Sequence, residues 1–261
     1  MTDCGLVSII TPNWNCAGYV TKTIQSVQAQ TYGNWEMIIV DDCSTDNSDL
    51  IIKPLLELDS RIRLLKNPKN MGAAMSRNYA LREAKGRWIA FLDSDDLWAP
   101  EKLEKQLEFM ARNGYHFSYT AYKEIDDSSA ETGVLISGPG KVSKFGMFAF
   151  CWPGCLTVMY DKEHVGLVQI EDIKKNNDYA MWLKVCRKAK CYLLNEPLAL
   201  YRRGRKGSIS THGYSTMIRW HYKLWHEAEG MNPVASVFWT GMNLVCGVYK
   251  KLRYVKRYVV K

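Results

Sequence analysis

Three carboxylates fall within four residues, Asp93-Ser94-Asp95-Asp96, directly after the apolar run Trp88 to Leu92. Like charges this close repel one another unless something positive sits among them. A hard divalent cation meets that need, because it takes carboxylate oxygens and keeps places for phosphate oxygens. The apolar run contains no Gly or Pro, and its length suits a buried strand. Asp93 and Asp95 then aim at one point beyond the strand end, where open α/β sheets bind ligands. The same four residues also suit a turn and N-cap before a helix over 99–113.

Other positions carry related chemistry. Asp41 ends the apolar run Trp35 to Val40; its carboxylate can accept the N3–H of a uracil or thymine ring, or close an Asx-turn. Asn70-Met71-Gly72 precedes a helix bearing Arg77. Gly72 allows close backbone approach to a ligand. The fork of Arg77 suits a diphosphate, although a solvated helix arginine reads the same way. Asp178 stands before Tyr179 and Trp182, as a general base or as a helix cap. Glu171-Asp172, slightly upstream, is a rival acid pair without the aromatic residues behind it.

Five stretches occur in a fixed order: Val7 to Asn13, Ile38 to Asp42, Asn70 to Gly72 with Arg77-Asn78, Asp93 to Asp96, and Asn177 to Leu183. This ordered set resembles the family 2 glycosyltransferases of GT-A fold, strongly over 6–96, less to about 201 and weakly beyond. The resemblance implies an inverting transfer of sugar from a nucleotide-diphosphate donor, UDP-linked by expectation. It places Thr11 and Pro12 at the base and ribose, Asp41 on the base, and Asn70, Gly72, Arg77, Asp93 and Ser94 around the nucleotide sugar. It makes Asp95 the ligand of a Mn²⁺ or Mg²⁺ ion, with Asp93 and His212 as further candidates, and Asp178 the catalytic base. Relatives commonly carry Glu-Asp where this chain has Asn177-Asp178; the second acid is kept.

Elements must hold these groups. Apolar runs at 6–11, 35–40, 62–65 and 88–92 read as strands, and 17–30, 50–58 and 72–85 as helices. Their alternation predicts βαβ units and a doubly wound, mostly parallel sheet flanked by helices. Strands are expected at 116–125, 156–160 and 191–201, a loop at 126–140 and a helix at 177–188. No phosphate-binding glycine motif is present. We divide the chain into a catalytic domain over 1–212, with a nucleotide-sugar half to 113 and an acceptor half from 114, and a helical, basic extension over 213–261.

The chain has 261 residues, 47% of them apolar, enough for a full core. Eight cysteines without a CxxC pair or a zinc-like spacing read as free thiols of a reducing cytosol. The N-terminus lacks a signal-peptide pattern, so the expected location is cytoplasmic. The net charge of +8 gathers at Arg202, Arg203, Arg205 and Lys206, which suit a lid over a diphosphate or a solvated loop, and in the acid-free stretch Met231 to Lys261. No nucleic-acid-binding signature accompanies it, and no nucleic-acid partner is expected. From Val234 to Val259 apolar residues recur at helical steps. That pattern suits a helix on an anionic inner leaflet, or one packed on protein. The acceptor expected by analogy is a glycan, lipid-linked in surface polysaccharide assembly. A nucleotidyltransferase and an inactive nucleotide-sugar-binding protein are the rival readings.

Overall fold

The structure is a computed structural model and describes residues 4–204 and 214–260. In chain order its strands and helices are β1 (Val7–Asn13), α1 (Val20–Gln28), β2 (Trp35–Asp41), α2 (Ser48–Leu58), β3 (Ile62–Lys66), α3 (Gly72–Glu83), β4 (Trp88–Phe91), β5 (Leu97–Trp98), α4 (Lys102–Asn113), β6 (Phe117–Ile125), β7 (Glu131–Ile136), β8 (Lys141–Val142), α5 (Lys144–Ala149), β9 (Met159–Asp161), α6 (Lys162–Val165), α7 (Asn177–Cys186), β10 (Cys191–Arg202), α8 (Tyr214–Lys223), α9 (Pro233–Tyr254) and β11 (Val255–Arg257). A 3-10 turn at Cys155–Thr157 and a π-turn at Leu224–Ala228 complete them.

The sheet runs β11-β7-β6-β9-β4-β1-β2-β3, and β10 pairs with β5, β6 and β8. Neighbours among β3, β2, β1 and β4 are parallel, as the βαβ alternation requires. Beyond β4 the chain turns back: β9 is antiparallel to β4 and to β6. Both faces of the parallel part are covered, which is why its strands are apolar without alternation. Ile10, Ile38, Ile89 and Phe91 pack with α3 and α7. Ile9, Met37, Ile39 and Ala90 pack with α1 and α4. Phe91 meets Trp182 of α7 edge to face at 5.1 Å, a contact worth about 1 kcal/mol beyond its buried area.

Strand order reverses at β1, which lies between β2 and β4. Ile10 is level with Phe91, and Asn13 with Asp41. The three strand ends therefore deliver Thr11 to Asn13, Asp41-Asp42 and Asp93 to one place, the crevice where such sheets take ligands.

Three expectations need correction. The stretch 126–140 is not all loop, because β7 pairs with β6 across a turn in which Asp126 accepts the N–H groups of Ser128 and Ala130, each at 2.9 Å. The helix expected from Ala99 starts at Lys102, since the Ala99 N–H goes to the Leu198 carbonyl. The C-terminal helix stops at Tyr254, and Val255–Arg257 pairs antiparallel with β7 at the sheet edge.

Candidate active site

On β1 and β2, Asp41 accepts a 3.0 Å bond from Asn13 Nδ2 and another from the Ser44 hydroxyl. Thr11 Oγ1 and Asn13 Oδ1 are buried without a partner among the described residues, which marks a place where a polar ligand atom would fit. Asp42, next to Asp41, faces the other way. Its carboxylate takes Asn67 Nδ2, the Met71 N–H and the Gly72 N–H, each at 2.7 Å. Asn70 donates to the Asp42 carbonyl at 3.2 Å. Gly72 has φ +83°, which only glycine adopts freely. Asp42 thus sets where α3 begins. Nothing in its residue type separated that role from the role of Asp41.

Asp93 to Asp96 forms a turn closed by the Asp96 N–H on the Asp93 carbonyl at 3.1 Å. The Thr23 hydroxyl lies 3.0 and 2.9 Å from the Ser94 and Asp96 carbonyls, and Ser94 is buried. Asp96 does not cap a helix; it points inward and accepts the Arg202 N–H at 2.7 Å. Burial, with the charges of Asp95 and Asp93 added, pushes its carboxyl well above the ordinary range. Asp93 and Asp95 stay partly exposed on the crevice side.

Arg202 and Arg203 are not a lid. Arg202 is buried, and it clasps the Asp95 carbonyl at 2.8 Å, the carbonyls of Asp126 and Asp127, and the Ser129 hydroxyl at 2.9 Å. Arg203 pairs with Glu124 at 2.6 Å. Arg205, Lys206 and His212 lie outside the described residues.

Arg77 joins the two halves. It is 6% exposed, forms an ion pair with Asp93 and donates to Asn177 Oδ1 at 3.0 Å. Burial opposes its charge, but Asp93 and Asp178 hold the guanidinium above its ordinary value. Asn176, at φ +58°, turns the chain into α7. Asp178 follows in the first helical turn, half-buried, accepting the Tyr179 N–H at 2.8 Å. Burial pushes its carboxyl up, and the Arg77 charge pulls it part of the way back. A carboxylate raised in this way is a better proton acceptor near neutral pH. The rival pair is elsewhere engaged or turned outward: Glu171 pairs with Lys184, and Asp172 is exposed.

Among the described residues no group of three or more His, Cys, Asp or Glu side chains is gathered to hold a metal. Asp93 and Asp95 nevertheless offer carboxylate oxygens in a turn rich in negative charge. That donor set fits a hard divalent cation that completes its shell with diphosphate oxygens and water.

A parallel β3-β2-β1-β4 core with an acidic turn at its switch point is the frame of a GT-A glycosyltransferase. The profile of the family described as Glycosyl transferase family 2 matches residues 8–154. TuaG of Bacillus subtilis, a glycosyltransferase named for teichuronic acid biosynthesis, is 43% identical over 76% of this chain and 79% of its own. WfgD of Escherichia coli, named as a UDP-Glc:α-D-GlcNAc-diphosphoundecaprenol β-1,3-glucosyltransferase, is 36% identical over 95% of this chain and 96% of its own. The S. aureus TarS 1-349 structure in complex with UDP-GlcNAc superposes with a TM-score of 0.68 at 19% identity, covering 88% of this chain and 69% of that one. The chain belongs to glycosyl transferase family 2, and it is a glycosyltransferase.

Proposed function

We propose that this enzyme transfers a sugar from a UDP-sugar to a hydroxyl of a lipid-linked glycan precursor, with inversion at the sugar carbon and with a Mn²⁺ or Mg²⁺ ion. The carrying observation is Arg77, which ties Asp93 of the acidic turn to Asn177 beside Asp178. One buried cation thereby brings the donor and acceptor sides within reach of each other. The name of WfgD supports the donor and acceptor classes.

Asp41, with Asn13 behind it, takes the N3–H of uracil; Thr11 and Pro12 line the base and ribose, and Asn70, Gly72 and Ser94 shape the rest of the donor pocket. Asp95, with Asp93 beside it, would hold the metal, which supplies charge neutralisation for the departing diphosphate. Arg77 keeps Asp93 in place and adds positive charge near the phosphates. Asp178 takes the proton of the acceptor hydroxyl. That oxygen bonds to the sugar C1 as the bond from C1 to the diphosphate breaks on the opposite face, and UDP leaves with the electron pair.

The enzyme works against an anionic membrane surface, at the inner face of the cytoplasmic membrane. Among the described residues no helix is long and apolar enough to cross a membrane. Helix α9 instead buries Ser236, Thr240 and Asn243 against the domain and turns Val234, Val237, Phe238, Val245, Val248 and Leu252 outward. Lys251, Arg253, Lys256 and Arg257 are exposed at its C-terminal end. An apolar outer face with a basic end suits the headgroup boundary of an anionic leaflet.

The test is a transfer assay with UDP-glucose or UDP-GlcNAc, Mn²⁺ or Mg²⁺, and a GlcNAc-diphospholipid acceptor, the product linkage being read by NMR. We expect a β-linked product from the α-linked donor and loss of activity in EDTA. An α-linked product removes inversion from the proposal, and full activity in EDTA removes the metal.

A further inference from the structure

Lys250 is the one residue of the basic end of α9 that reaches into the domain with a hydrogen bond among the described residues. Its Nζ donates to the Trp152 carbonyl at 2.8 Å and lies 5.4 Å from the centre of the Phe150 ring. The stretch it grips, 147–152, is held from two sides. From α7, the Tyr179 hydroxyl donates to the Met147 carbonyl at 2.7 Å and lies 3.1 Å from that of Phe148. From α9, Asn243 Nδ2 donates to the Phe148 and Ala149 carbonyls at 3.0 and 2.9 Å. Tyr179 follows Asp178 directly, so Lys250 and Asp178 flank the same short piece of chain. Burial depresses the Lys250 ammonium from its ordinary value, against opposing contributions from Cys151 and then Asp178.

A half-buried ammonium has three N–H donors to satisfy, and a single carbonyl is thin compensation for its desolvation. Its place suits an anion. It grips the same stretch that Tyr179, the neighbour of the candidate base, holds from the other side, and it sits on the helix whose outer side is apolar. An acceptor with its hydroxyl at Asp178 and its lipid along α9 must pass its charged link between them.

We propose that Lys250 anchors an anion subsite for the diphosphate that joins the first sugar of the acceptor to its lipid. This rests on the lipid-linked acceptor reading given above. A lysine suits the task because it is a compact charge on a flexible stem, able to follow a diphosphate of varied orientation.

The test uses the full chain saturated with UDP, so that the donor site is filled. Binding of decyl diphosphate and of decyl maltoside is measured by calorimetry for wild type, Lys250→Met and Lys250→Arg, with UDP affinity measured on each protein. Wild type should prefer decyl diphosphate by about ten-fold or more, the scale of one charged hydrogen bond. Lys250→Met should bring that preference close to one, and Lys250→Arg should keep most of it. UDP affinity should be equal in all three. If Lys250→Met fails to bind UDP because it fails to fold, Lys250→Gln gives the reading: it keeps a donor for the Trp152 carbonyl and lacks the charge. A charge-free variant that binds UDP normally and retains the preference overturns the subsite but leaves the lipid-linked acceptor standing. A wild type with no diphosphate preference also overturns the subsite, while transfer to the GlcNAc-diphospholipid acceptor decides the lipid-linked reading separately.

Discussion

On the donor side of the crevice the carboxylates are already fixed by the protein. Asp41 has Asn13 and Ser44, Asp42 has three N–H donors, and Asp96 has the Arg202 amide. The acceptor side is built differently. Among the described residues the Asp178 carboxylate takes its hydrogen bonds locally, from the Tyr179 N–H at 2.8 Å and its own backbone, and helix α9 turns its apolar side outward. Helix α4, on the donor side, does the reverse and buries Leu103, Leu107 and Met110. A site that must fix a small, invariant nucleotide gains from rigid preorganisation. The lipid-linked acceptor proposed above would need apolar surface, and the outer face of α9 offers it.

The sharpest test of this contrast is Asp178→Asn. Turnover should fall by about 10²-fold or more, with UDP-sugar binding unchanged, because the amide cannot take a proton. Glu171→Gln and Asp172→Asn should each cost far less. Wild-type turnover in Asp178→Asn would move the base elsewhere. The pH profile carries a sign. The raised carboxyl of Asp178 must be ionised to act, so kcat should fall as pH drops through a value above the ordinary carboxylate range, and that limb should be missing in Asp178→Asn. Next in size, Asp95→Ala should reduce metal-dependent UDP affinity on the order of tens-fold while the fold stands. Equal thermal stabilisation by UDP with Mn²⁺ in wild type and variant would take Asp95 out of the site.

Two smaller effects probe the scaffold. Asp42→Asn presents an NH₂ to backbone amides that need an acceptor, and should lower stability by about 1–3 kcal/mol; unchanged denaturant midpoints would show that α3 does not need this clamp. Leu252→Lys, on the outer face of α9, should change stability by less than about 0.5 kcal/mol and lower sedimentation with neutral vesicles, because it replaces apolar surface that would enter the headgroup boundary. Leu107→Lys on α4 should instead unfold the protein. A Leu252→Lys protein that unfolds as readily would erase the contrast between the two helices.

The parallel part of the sheet was legible because its strands are unbroken apolar runs that end on polar residues, and the acids of the proposed donor site stand at those ends. Helix α9 was legible as a one-sided helix, with its apolar side expected either on an anionic leaflet or packed on protein, because periodicity does not say which side meets the domain. Strand β7 was hidden by the Asp, Ser, Gly and Pro residues around its six positions. Arg202 read as part of a basic cluster because its partners are carbonyls at 95 and 126–127, which only the fold brings near. Lys250 had no local signal at all, since its meaning depends on Trp152.

The pairing of β11 with β7 bears on how this protein should be handled. Gly133, at φ +76°, leaves no room for a Cβ beside the Tyr258 carbonyl, and Tyr258 returns a bond of its own to Glu131 at 2.7 Å. Removing the residues after Tyr254 to improve solubility would bare β7 as an unpaired edge carrying Val134, Leu135 and Ile136, an open template for strand addition by another chain. Lys256 and Arg257 on β11 guard against that event. Truncation should therefore yield aggregates that imitate a loss of membrane affinity, whereas single substitutions on the outer face of α9 leave the edge closed.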